Sequence, residues 1–227
     1  AHEMAWIFII LTTISVVYGA FGAIWQKDLK FINAYSSVSH CGLVIFALLM
    51  MNKTAMDGAI LQMISHGLMT ALFFALIGMI YGRTHTRMIN EMGGLMKIVP
   101  FLSVAYVIAG LASLGLPGLS GFVAEMTVFV GAFQHPDLFH RVVTIVAITS
   151  IVITAVYILR VIAILLLGPS TNEHYDHLRD ARWYEKVSVV TLITFIAVIG
   201  MAPFLLTSLL STGIQPIIDK ILAYAQF

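Results

Sequence analysis

Leu114-Gly115-Leu116-Pro117-Gly118-Leu119-Ser120-Gly121 interrupts an apolar run that extends from Pro100 to Phe133. The run is far longer than the ~20 residues an α-helix needs to cross a bilayer. Its glycines weaken a helix, and Pro117 removes a backbone donor and clashes with the preceding turn. Glu125, a lone carboxylate, follows shortly after the proline. In lipid a broken helix persists only where the freed backbone faces protein or a water-filled cavity. An ionisable side chain at that depth points to function. The stretch predicts two half-helices meeting at a polar point, with Gly115, Pro117 and Gly118 making the break.

The composition around it fits a membrane housing. The chain has 227 residues, 60% hydrophobic and 10% charged, where a soluble domain carries roughly 25% charged. An all-α integral membrane protein follows, with the lipid bilayer as its first partner. The net charge of +1 and the lack of a basic run give no reason to expect nucleic acid. Cys41 is the only cysteine, so an internal disulfide is excluded. Ala1-His2-Glu3 lacks the positive start of a signal peptide and reads as a start in mid-protein.

Six spans are expected. They run from about Met4 to Ile24, Phe31 to Met51, Ala55 to Tyr81, the broken element Pro100 to Phe133, Val142 to Leu167, and Val187 to Leu210. Gly168-Pro169 is a sound stop for the fifth. Alternation of the spans places Lys27, Lys30, Arg83, Arg87, Lys97, Arg160, Arg179, Arg182 and Lys186 on one side. Lys53, Arg141 and Lys220 fall on the other, and the positive-inside rule makes the richer side cytoplasmic. Gly19, Gly22, Gly42, Gly67 and Gly78 suit close helix packing in lipid.

Few ionisable groups fall inside the spans. On the second, Asn33, Ser36 and Ser37 precede His40 at spacings that share its face. On the third, Gln62 and Thr70 lie four residues either side of His66, with Ser65 beside it. Lys30 stands at the cytoplasmic mouth of the second span; its plainer role is to set topology. A charged side chain in the bilayer interior costs at least ~2.5–3.5 kcal/mol on insertion scales, so a structural Glu125 would need an ion-pair partner. The spans offer no central Lys or Arg for it. A single buried histidine is commonly a satisfied core residue, but two on adjacent spans beside a carboxylate are harder to explain that way. Histidine titrates near neutral pH, and hydroxyls and water can bridge such groups. The set points to proton or cation translocation along His40, His66 and Glu125, with Lys30 at the entrance. His85, His135, His140, His174 and His177 are expected in solvated loops. His174-Tyr175-Asp176-His177 has ligand-like spacing but no third ligand nearby, so no metal is expected. The twelve methionines read as lipid-facing or packing residues.

Asp28-Leu29-Lys30, followed by Ala34-Tyr35-Ser36-Ser37-Val38-Ser39-His40-Cys41-Gly42, resembles the antiporter-like membrane subunits of respiratory complex I. Leu61-Gln62-Met63-Ile64-Ser65-His66-Gly67-Leu68 and Leu116-Pro117-Gly118-Leu119-Ser120-Gly121-Phe122-Val123-Ala124-Glu125 resemble the same family, in the same order. Tyr81 to Arg87 with Gly93-Gly94-Leu95, and a glutamate at 125 where other branches carry lysine, are similar to its M-type (chain 4) branch. The resemblance is dense from Asp28 to Phe133.

That resemblance implies a fourteen-helix fold of two inverted five-helix repeats, with helices nine to fourteen in this chain. Residues 1–140 would hold the first four helices of the second repeat and 141–168 its fifth. Residues 169–186 would form a cytoplasmic loop, and 187–227 the last helix and tail. It further implies a proton-translocating subunit of NADH:quinone oxidoreductase, with no redox chemistry and no cofactor of its own. Flavin, iron–sulfur clusters and quinone belong to other subunits. Its partners would be its own N-terminal half and neighbouring membrane-arm subunits. The polar loop and C-terminus show no organelle-targeting feature, so a bacterial inner membrane is expected, with the mitochondrial inner membrane as the alternative. A paralogous subunit of a multisubunit sodium/proton antiporter or membrane-bound hydrogenase is the alternative. Half of a solute transporter, or a purely structural scaffold, are readings from other classes.

Overall fold

The structure, a computed structural model, describes residues 4–169, 175, 177–208, 215–216 and 219–220. Five helices are long and apolar enough to cross a membrane. They are α1 (Ala5–Trp25), α2 (Leu29–Leu49), α3 (Lys53–Thr84), α7 (Leu138–Ile162) and α8 (Trp183–Met201). Between α3 and α7 come a four-residue helix, α4 (Leu95–Ile98), and two shorter apolar helices, α5 (Pro100–Ser113) and α6 (Ser120–Phe133). Among the described residues no strand forms beyond an isolated bridge between Asp28 and Met88. Residues 170–174 and 176 of the expected 169–186 loop, His174 and Asp176 included, lie outside the described residues, as does the end of the last expected span.

Local sequence sets the helix ends. Asp28, Asn52 and Asp137 are N-caps whose side chains accept a backbone N–H of the first turn, a contact that typically contributes about 1 kcal/mol. Gly168 closes α7 as expected, after a last turn that widens into a π-helix over Ala163–Leu167. Gly115 (φ +64°) and Gly118 (φ +93°) sit in the left-handed region between α5 and α6, where a Cβ is strained and glycine is not.

The two ends of the bundle differ. At one, Leu29 N donates to Arg87 O (3.0 Å) and Asp28 pairs with Arg87 (3.3 Å). There too, Arg83 donates to Glu185 (2.6 Å) and to the carbonyls of Arg179 and Asp180, while the Asp180 carboxylate accepts from Phe101 N (2.8 Å). At the other end the Asn52 amide donates to Gly131 O (2.7 Å). Thus α5 starts beside the end of α3, α6 finishes beside its start, and the pair runs antiparallel to α3. Lys27, Arg83, Arg87, Arg179 and Arg182 gather at the first end and Lys53 at the second, in keeping with the Lys/Arg asymmetry.

Close backbone approach does much of the packing. A Cβ on Gly19 would lie 2.6 Å from Ser39 N of α2, and one on Gly58 would lie 2.6 Å from Val128 N of α6. Gly22 gives room to the Tyr35 ring and Gly42 sits against Ser15 and Val16 at 3.2 Å, whereas Gly67 and Gly78 face open space among the described residues. Two apolar clusters result. One joins Leu29, Leu76, Leu102 and Leu165 toward the arginine-rich end. The other joins Ile9, Phe46, Val128 and Val143 toward the opposite end. Buried His40, Gln62, Ser65, Ser113, Ser120, Glu125, Ser150 and Thr154 belong to neither cluster, and along their helices they fall between the two. Large apolar side chains such as Trp6, Phe31, Val152 and Phe195 are more than half exposed, as lipid contact requires.

Candidate functional site

The polar layer centres on Glu125 and His40. Glu125 lies in the second turn of α6, just beyond the break, and is buried. Its Oε2 occupies space that a Cβ on Gly115 would invade, at 2.7 Å. The turn and the acid therefore need each other: only glycine at 115 combines the positive φ with room for the carboxyl. Glu125 Oε1 is 3.5 Å from His40 Nδ1, which supplies the partner that no Lys or Arg could.

His40 is buried and contacted on both ring nitrogens. The Gln62 amide donates to Nδ1 at 3.1 Å, and Nε2 lies 3.4 Å from Ser113 Oγ at the end of α5. Gln62 Oε1 has no hydrogen-bond partner among the described residues. By turning its amide, Gln62 can donate to an unprotonated Nδ1 or accept from a protonated one. It thus tolerates both proton states of the ring. The His66 ring lies 5.2 Å from that of His40, centroid to centroid, and Thr70 Oγ1 is 3.2 Å from His66 Nε2. Unlike His40, His66 is only partly covered by this chain, and the neighbouring Gly67 is exposed. Ser65 and Ser120 hydroxyls meet at 2.7 Å, tying α3 to the first turn of α6.

Ser39, His40, Ser113, Glu125, Ser150 and Thr154 line a cavity of about 10 Å³, roughly the room one water needs. Leu43, Leu114, Phe129 and Ile151 complete its lining.

The expected residues are not all brought together. Ser36 joins the layer through Tyr157, whose hydroxyl donates to it at 2.7 Å. Ser37 is half-buried on the flank. Lys30 is exposed at the start of α2, ten residues before His40, or ~15 Å along the helix. Ser113, Ser120, Ser150, Thr154 and Tyr157 escaped the sequence reading. The Tyr157 hydroxyl lies within hydrogen-bonding reach of Ser36, Thr154 and Ser113, so it connects the His40 pocket to the Asn33 face of α2. There Asn33, Ser36, Tyr106 and Tyr157 border a second small cavity, and Asn33 Nδ2 has no hydrogen-bond partner among the described residues. Only the Asn33–Ser36–His40 period on α2 hinted at this branch.

The chain is 34% identical over 220 residues to NADH-quinone oxidoreductase subunit M of Rickettsia conorii, covering 97% of this chain and 44% of that protein. It is 39% identical over 210 residues to NAD(P)H-quinone oxidoreductase chain 4 2 of a Synechococcus species, covering 89% and 39%. The chain therefore spans less than half the length of these relatives. Among solved structures, its fold matches a chain of respiratory complex I from Thermus thermophilus with TM-score 0.87 at 24% identity, covering 97% of this chain and 45% of that one. It also matches a chain of the Mrp complex from Dietzia with TM-score 0.86 at 19% identity, covering 99% and 49%. A profile of the family described as NADH:quinone oxidoreductase/Mrp antiporter, TM, matches residues 1–154, and the chain belongs to that family.

Proposed function

We propose that the chain is the C-terminal portion of a proton-translocating membrane-arm subunit, M-type, of an NADH:quinone oxidoreductase. The observation that carries the proposal is the buried His40–Glu125 contact beside the α5–α6 break, wetted by hydroxyls and placed between two dry clusters. In this reading α5 and α6 form one broken span, making six, which correspond to helices nine to fourteen of a fourteen-helix fold. Protons move among His66, His40 and Glu125, with Gln62, Ser113 and Tyr157 holding the rings and carboxyl in register. The redox groups reside in other subunits, and this chain moves charge without electron transfer. The half-covered His66 supports an N-terminal half packed against α3, since a polar ring at membrane depth needs a polar partner. The Lys/Arg asymmetry supports a cytoplasmic arginine-rich end, and the Rickettsia and cyanobacterial relatives support a bacterial inner membrane.

The likeness to the Mrp complex favours a second reading, a subunit of a sodium/proton antiporter. The complex that contains the full-length protein, purified and reconstituted in vesicles, separates the two. NADH addition with a quinone should acidify the side opposite the arginine-rich end. Sodium-dependent proton exchange without NADH oxidation would instead establish the antiporter.

Tyr157→Phe tests the added branch. The substitution keeps the ring and removes the donor to Ser36, a hydrogen bond worth about 0.5–1.5 kcal/mol. Proton translocation should slow about two- to tenfold while the subunit assembles normally. Pumping at the wild-type rate would remove Tyr157 from the path.

A further inference from the structure

We propose that His135, Asp137 and His140 form a binding site for a divalent transition ion of the zinc class, on the end of the bundle that is poor in Lys and Arg. One ligand atom from each of the three lies within 4.8 Å of the others. Two imidazoles and one carboxylate make a donor set that zinc accepts, with a further position open to water or another ligand.

The sequence around them accounts for two members of the cluster and not for the third. Asp137 is the N-cap of α7, accepting from His140 N (3.3 Å), and its Oδ2 is 2.6 Å from His140 Nδ1. Capping alone would produce that pair. His135 is held separately: its Nε2 donates to the carbonyl of Met50, at the far end of α2, at 2.5 Å. That bond fixes the ring's proton on Nε2 and turns the bare Nδ1 toward Asp137, whose Oδ1 is 3.9 Å away. A backbone carbonyl behind the distal nitrogen is the usual support of a metal-bound histidine. A cavity of about 400 Å³, bordered by the three residues together with Trp6, Met50 and Phe139, gives an ion and its water room to enter.

Binding asks for one local rearrangement. The two rings stack at 4.2 Å with 15° between their planes, so lone pairs lying in those planes do not meet at one ion between them. Each must swing about its outer side-chain bond for the lone pairs to converge. At His140 the ion replaces the proton now on Nδ1, which moves to Nε2. A neutral imidazole thereby becomes a ligand without net loss of a proton.

The test uses the full-length protein in its membrane complex, washed with chelator and titrated with Zn²⁺ against a chromophoric competitor. Wild type should bind one more equivalent of zinc than His135→Gln, Asp137→Asn or His140→Ala, or bind it about 10–100-fold more tightly. Asp137→Asn retains an N-cap, so its loss of zinc reports the ligand and not the helix. Zinc absorption-edge spectra of the wild type should contain imidazole scattering that His140→Ala diminishes. Titrations that coincide for wild type and all three variants overturn the site.

Discussion

Glu125→Gln should stop proton translocation while leaving the subunit folded and assembled. Glutamine has nearly the same volume as glutamate, so the contact with Gly115 and the packing of α6 against α3 survive. What disappears is the exchangeable proton. In the wild type Glu125 Oε1 faces His40 Nδ1 at 3.5 Å, inside a cavity large enough for one water. A carboxyl there can give a proton to the ring or take one from it; an amide can do neither. Losing a positioned acid–base group commonly costs a factor of about 10²–10⁴ in a step that requires it. Proton flux per quinone reduced should therefore fall about a hundredfold or more, effectively to background, measured by vesicle acidification beside NADH oxidation in the same preparation. Glu125→Asp provides a graded companion. It keeps the acid but shortens the side chain by one methylene, drawing the carboxyl back from His40. Its flux should lie between wild type and Glu125→Gln. Full pumping by an assembled Glu125→Gln complex would reduce the polar layer to scaffolding.

The parts of this arrangement that the sequence announces are those that conflict with their surroundings. Pro117 with Gly115 and Gly118 contradicts a continuous helix, and Glu125, His40 and His66 contradict hydrocarbon; each conflict has a free-energy cost that singles the residue out. The Asn33–Ser36–His40 period adds a direction, because residues four apart share a helix face. Ser113, Ser120, Ser150 and Thr154 carry no such signal, since a hydroxyl can satisfy itself on its own helix, as Ser150 does on Ala147 O. Tyr157 meets Ser36 across 121 positions of sequence, a contact that only the fold creates. The same holds for His135, whose partner carbonyl belongs to Met50 at the end of α2. Lys30 shows the opposite case: its position in the Asp28-Leu29-Lys30 motif drew attention, yet its exposed place at the helix start suits topology better than relay.

Gly58→Val should prevent the subunit from accumulating, a larger structural effect than any polar substitution in the layer. The contact between α3 and α6 places Glu125 next to His40 and Gln62, and it depends on glycine on both sides. A Cβ at Gly58 would lie 2.6 Å from Val128 N and 2.9 Å from Thr127 C. A Cβ at Gly131 would run into the backbone of Ala55, so the helices touch at two points with no spare volume between them. Overpacking a core typically costs about 1–3 kcal/mol when side chains can move aside. Here the obstacle is main chain, and relief requires α6 to shift bodily. Such a shift also breaks the Asn52–Gly131 hydrogen bond and the Ser65–Ser120 contact that hold the same interface. Immunodetection of membranes should find Gly58→Val strongly depleted and Gly58→Ala reduced. Val128→Ala should fail to rescue Gly58→Val, because it removes only the side-chain Cγ2 at 2.9 Å and leaves Val128 N in place. Rescue by Val128→Ala, or normal levels of Gly58→Val, would mean that the two backbones do not meet here, and that something other than this contact sets the distance between Glu125 and His40.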